Sequence, residues 1–116
     1  MIAWRMLKSN ELGFEYIPEA ETDMGRLDGS QRKMVLKAID KVAKNPLPVD
    51  EGGYGKPLGN KHGNNLSGLL KIKLLKLGIR ILYDLKRNEN GMRIIIVGIR
   101  ADNTVYELAD KRVKKL

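Results

Sequence analysis

Five residues in the C-terminal part of the chain could act together on a phosphate: Lys71, Lys73, Arg80, Arg100 and Tyr106. Lys71 and Lys73 are two apart, which places both on one side of an extended strand. Arg80 follows just after a turn signal at Gly78 that would bring the chain back beside them. Arg100 ends a later apolar run, and Tyr106 follows within the start of the next segment. Two lysines and two arginines on one sheet face, without matching acids, repel each other unless an anion or an acidic partner normally sits there. Spacing alone also allows plainer roles. The lysines could be the solvated face of a sheet, Arg100 an exposed strand cap, and Tyr106 a half-buried edge residue.

Other chemistries find little support. There is no cysteine, and the single His62 has no second histidine to form a metal or acid–base pair. Asp84, Asp102 and Asp110 are scattered and read as strand-edge charge, turn residue and helix surface. Walker loops, dinucleotide glycine fingerprints and histidine pairs at helical spacing are all missing from the sequence. The expectation is therefore a site without metal or cofactor. Net charge is +8, and most of it is late: residues 1–70 hold 10 basic and 9 acidic side chains, residues 71–116 hold 12 and 5. That asymmetry favours a phosphate-rich partner or an acidic protein covering the same face.

The elements that must position these residues can be read from periodicity. Leu12–Ile17 alternates like a short strand, and Pro18 ends it and suits a helix start. Ala20, Met24 and Leu27 then share one helical face, and Asp28-Gly29-Ser30 breaks the chain. A second helix is predicted from Ser30 to Asn45, with Val35, Ala38, Ile39, Val42 and Ala43 in one stripe and Lys33, Lys37, Lys41 and Lys44 off it as a solvated row. Pro46 and Pro48 stop it. Residues 47–68, rich in Gly and Asn, read as a long, irregular and mobile connection with His62 as an exposed loop residue. In the strand predicted over Leu69–Leu77, Leu70, Ile72 and Leu74 point away from Lys71 and Lys73. Arg80–Lys86 is the returning strand, Asn90-Gly91 a hairpin signal, and Met92–Ile99 a third strand whose run Ile94–Val97 is apolar on both faces and so belongs in the centre. Thr104 and Glu107 have capping-box spacing before a terminal helix with Val105, Leu108, Ala109, Val113 and Leu116 in its stripe.

With 116 residues and 42% hydrophobic content, the chain reads as a single α+β domain, residues 1–116. The expected architecture is a small antiparallel sheet with an N-terminal helical hairpin and a C-terminal helix, the helices packed on one face. Residues 1–12 form an N-terminal extension without a clear structural signal. No apolar run approaches the ~20 residues of a membrane span and no secretory leader is visible, so a cytoplasmic protein without membrane contact is expected.

The segments Leu70-Lys71-Ile72-Lys73-Leu74, Gly78-Ile79-Arg80-Ile81-Leu82-Tyr83, Val97-Gly98-Ile99-Arg100 and Val105-Tyr106 resemble, in order and in gaps, the RelE branch of the RelE/ParE toxin superfamily. The likeness extends over roughly Gly13 to Val113. It implies a toxin of a type II toxin-antitoxin system, partnered by a small acidic RelB-like antitoxin, that cleaves messenger RNA on the ribosome and inhibits translation. It places Lys71 and Lys73 at the family's two active-site lysines, Arg80 and Arg100 at its arginines and Tyr106 at its tyrosine. The gyrase-inhibiting ParE branch usually lacks this full set, which favours a ribonuclease over a gyrase inhibitor; a catalytically silent basic RNA-binding domain is the second alternative.

The residue types permit metal-independent cleavage by attack of the RNA 2'-hydroxyl on the adjacent phosphorus. A lysine, ordinarily with a pKa of about 10.4, becomes a better base when cations crowd it. Lys73 is the candidate base and Lys71 its co-stabiliser. Arg80 would hold the non-bridging oxygens and Arg100 would stabilise the leaving oxygen, while Tyr106 would stack on a base or orient the 2'-hydroxyl.

Overall fold

The computed structural model describes residues 14–61, 64–74, 76–86, 91–99 and 102–116. Strand β1 (Phe14–Tyr16) leads into helix α1 (Pro18–Arg26), with Pro18 in the first turn, where its missing N–H removes no helical bond. Helix α2 (Gly29–Ala43) starts at a full capping box: Asp28 Oδ1 accepts from Gln31 N at 2.8 Å, and Gln31 Oε1 accepts from Asp28 N at 3.0 Å. Arg32 ties the two helices by donating to the carbonyls of Met24 and Leu27, the last turn of α1 and its cap. Val35, Ile39 and Val42 form the buried row of α2.

The short strands β2 (Lys56–Pro57), β3 (Asn60–Lys61) and β4 (Asn64–Asn65) precede the longer β5 (Leu69–Leu74), β6 (Ile79–Lys86) and β7 (Gly91–Gly98), and helix α3 (Asp102–Lys114) ends the fold. The main sheet has the order β1-β7-β6-β5-β2, and β3 and β4 form a separate two-stranded ribbon. As its apolar run requires, β7 lies inside the sheet: Ile94, Ile95, Ile96 and Val97 are all buried. The β5–β6–β7 meander is antiparallel, as expected, but β1 runs parallel to β7, so the sheet is mixed.

Three other expectations are corrected. Residues 47–68 are not simply irregular: a 3-10 turn at Val49–Glu51 and strands β2, β3 and β4 structure the stretch, and Lys56 and Pro57 pair with Lys71 and Leu70. Helix α3 begins at Asp102, so Thr104 lies inside its first turn and is not its cap. The helices also do not share one sheet face. Tyr83 lies in register with Leu70 and Ile94, and its hydroxyl donates to Pro46 O at 2.7 Å, which brings the end of α2 to that face. Burial pushes the Tyr83 hydroxyl up to about 12, so it remains a donor at neutral pH. Helix α3 instead covers the opposite face, where Lys71, Leu82 and Ile96 form one cross-strand row, because its Tyr106 bonds to Lys71. A sheet with two apolar faces needs a cover on each.

Candidate active site

The site residues follow from strand register. Lys73 pairs with Arg80 and Arg80 with Gly98, so two cations stand side by side on β5 and β6 near their turn, with a bare glycine next to them on β7. One row along, Lys71, Leu82 and Ile96 are partners. Alternation puts both rows on the same face, and the turn Lys76–Gly78 is what sets Arg80 opposite Lys73. Lys73 is exposed, whereas Lys71 and Arg80 are partly buried. The Arg80 guanidinium donates to Gly78 O at 2.8 Å, which steers it toward the turn.

Lys71 is anchored from above the sheet. Its Nζ donates to the Tyr106 hydroxyl at 2.7 Å and lies 5.4 Å from the ring centroid. Tyr106 is only 3% exposed, so its ring has no open face for stacking on a base; the expected stacking role gives way to holding Lys71. The structure thus brings Lys71, Lys73, Arg80 and Tyr106 to one face. Arg100 and His62 lie outside the described residues, as do residues 87–90 of the expected hairpin turn. Among the described residues no cluster of three or more His, Cys, Asp or Glu side chains could hold a metal ion.

The position of Tyr106 depends on a close approach of α3 to β7. A Cβ at Gly98 would sit 2.9 Å from Val105 Cγ2, tighter than carbon contacts allow. Gly98→Ala should therefore displace α3 or strain β7 and cost about 1–3 kcal/mol, the range for overpacking, in urea unfolding. A loss below a few tenths would show that the helix yields freely.

A second attachment of α3 was missed in the sequence reading. Arg112 NH1 meets Asp23 Oδ2 at 2.6 Å, and NH2 meets Oδ1 at 3.2 Å. The side chains are 15% and 8% exposed. The same carboxylate accepts from Val97 N at 3.0 Å, and Arg112 also donates to Ile95 O at 3.0 Å. These β7 backbone groups lie beyond the end of β1, whose register stops at Ile94, so the ion pair serves the β7 edge where β1 no longer does. A signal existed. Asp23 falls among Ala20, Met24 and Leu27, and Arg112 among Leu108, Ala109 and Leu116, so each charge occupies an apolar-stripe position. A groove of about 310 Å³ lined by Asp23, Leu27, Val97, Ile99, Leu108 and Arg112 runs beside this link.

No family model and no curated protein matches the sequence. Solved structures do match. The isolated Escherichia coli RelE toxin aligns with TM-score 0.59 and 22% identity over 86% of this chain and 96% of its own. An E. coli RelE mutant bound to an antitoxin RelB peptide aligns with TM-score 0.62 and 21% identity, covering 83% and 90%. The Mycobacterium tuberculosis toxin-antitoxin complex RelBE2 aligns with TM-score 0.50 and 24% identity, covering 77% and 91%. With a helical hairpin, a central β5–β6–β7 meander and a closing helix, the chain has the α+β fold of the RelE toxins.

Proposed function

We propose that this protein is the toxin of a type II toxin-antitoxin system and a metal-independent endoribonuclease that cuts messenger RNA on the ribosome. The observation that carries this reading is the face on which Lys73 and Arg80 are direct cross-strand partners and Lys71 is tethered to Tyr106. Lys73, the exposed lysine, takes the proton of the RNA 2'-hydroxyl as that oxygen bonds to phosphorus. Arg80 holds the non-bridging oxygens, whose charge grows in the transition state. The bond from phosphorus to the 5'-oxygen breaks, leaving a cyclic phosphate, and Arg100 offsets the charge on the departing oxygen. Tyr106 is a positioning residue for Lys71. With such reluctant acid and base groups the rate relies on placement of the RNA, an effect worth ~7–11 kcal/mol when complete, and free RNA is a poor substrate. Solved structures of the fold in complex with antitoxins support an antitoxin as a partner; the excess of basic residues after Leu70 is the reason to expect that it is acidic and covers the basic face between encounters with RNA.

The test is to add the purified chain, treated beforehand with chelator, to translating ribosomes and map RNA ends. New ends within coding sequence are expected, with little cutting of the same RNA alone. Activity lost on chelation and restored only by zinc or manganese would overturn the metal-independent mechanism. No new ends, together with inhibition of DNA supercoiling by gyrase, would replace this reading with that of a gyrase inhibitor.

A further inference from the structure

The face of α2 that turns away from the core carries a feature that the cleavage chemistry does not use. Lys33, Lys37 and Lys41 recur every four residues, Lys44 follows at the helix C-cap, and all four are exposed. At 1.5 Å rise per residue the row spans about 16 Å. The one acid in the helix, Asp40, is half-buried and close enough to Tyr16 to raise the pKa of its phenol, an effect secondary to burial. Beside the row stands Tyr54, 51% exposed, with Lys41 Nζ 5.3 Å from its ring centroid. Tyr54 is presented by a tightly built loop. Tyr54 N donates to Asn45 O, Gly55 N to Leu47 O, Val49 N to Gly55 O, and Asn45 Nδ2 to Gly52 O. A side chain at Gly53 would collide with the Leu47 carbonyl. An aromatic ring held half in water beside a line of cations is the arrangement that grips unpaired nucleic acid, with phosphates on the cations and a base on the ring.

We propose that Lys37, Lys41, Lys44 and Tyr54 form a second RNA-binding surface. It rests on the proposed function only for the choice of RNA as the polyanion. The end of α2 packs on the Tyr83 face of the sheet, behind the face that bears Lys71. The RNA held here is therefore a different segment from the one positioned for cutting, and a large structured RNA could supply both. The exposed acids Asp50 and Glu51 of the same loop oppose this binding, which limits its strength.

The experiment measures anisotropy of a labelled 2'-O-methyl oligoribonucleotide, which cannot be cleaved, with the full chain carrying Lys73→Ala and Arg80→Ala to weaken the other face. Lys37→Gln with Lys41→Gln is expected to weaken binding at least ~10-fold and to reduce the salt slope by about 1.4, the value for two contacts to a single strand. Tyr54→Ala should weaken it ~5-fold or more, while Tyr54→Trp retains it. Lys111→Gln with Lys115→Gln, an equal loss of charge on exposed positions of the C-terminal segment, should change it less than ~2-fold. Equal losses from the two lysine pairs, or no loss from Tyr54→Ala, would overturn the proposal. So would preferential binding of a polyglutamate peptide through Lys37 and Lys41, which would assign the row to an acidic protein. Binding as expected by a chain that never cuts RNA on ribosomes would reject the proposed function and leave this surface standing; cutting without it would do the reverse.

Discussion

Alanine in place of Lys73 or of Arg80 is expected to lower single-turnover RNA cleavage on ribosomes by at least ~100-fold, the scale of losing a general base or a principal oxyanion donor. The two residues are cross-strand partners on β5 and β6, so neither can take the other's place without moving a strand. Ribosome binding should change far less, because each variant removes one charge of many. Lys115→Ala, which removes the same charge from an exposed position outside the site, should leave the rate nearly intact. Tyr106→Phe tests the tether separately. It deletes the acceptor of the Lys71 hydrogen bond and keeps the buried ring, so cleavage should fall ~10-fold, about the value of one charge-assisted hydrogen bond. If that loss acts through Lys71, adding Tyr106→Phe to Lys71→Ala should cost almost nothing more. Equal and modest losses from Lys73→Ala, Arg80→Ala and Lys115→Ala would mean that the basic residues supply only general attraction.

The parts of this site that the sequence makes legible are those set by local period. Alternation over Leu70–Leu74 separates the lysines from the apolar side of β5, and the turn before Ile79 aligns Arg80 with Lys73; the register bears out both. The double-sided apolar run of β7 likewise marks an interior strand. What local pattern does not encode is pairing between distant segments. Nothing in Phe14–Tyr16 specifies a parallel neighbour some 80 residues later, and nothing in Lys56-Pro57 marks an edge strand for β5. The burial of Tyr106 is similarly a consequence of Gly98, which lets α3 close on the sheet, and glycine in a strand reads from sequence only as a weak point. Asp23 and Arg112 were legible in principle. Each charged residue in an apolar stripe demands a buried partner, but matching the two requires knowing that α1 and α3 meet at β7.

That pairing carries the largest expected effect on stability. Asp23→Ala removes the carboxylate that serves Arg112 and the Val97 N–H at once, leaving a guanidinium and a backbone donor in a largely water-excluded position. Breaking one side of a buried ion pair typically costs about 3–5 kcal/mol, against a total of about 5–15 kcal/mol for a domain of ordinary stability. Urea unfolding should therefore show a fall of about 3–5 kcal/mol for Asp23→Ala. The double variant Asp23→Ala with Arg112→Met should be more stable than Asp23→Ala alone, because the uncompensated charge is gone and the methionine fills part of the same space. Lys115→Ala, which removes a charge from an exposed position just after α3, should change stability by less than ~0.5 kcal/mol. A loss below ~1 kcal/mol for Asp23→Ala would show that water reaches the pair, since a hydrated guanidinium pays no such penalty. The same pair pins α3 to β7 on the helix that carries Tyr106, so loosening it should also degrade the Lys71 tether. In folded Asp23→Ala protein, cleavage should fall toward the level of Tyr106→Phe but not to that of Lys73→Ala, because Lys73 and Arg80 are placed by the β5–β6 register and turn and not by α3.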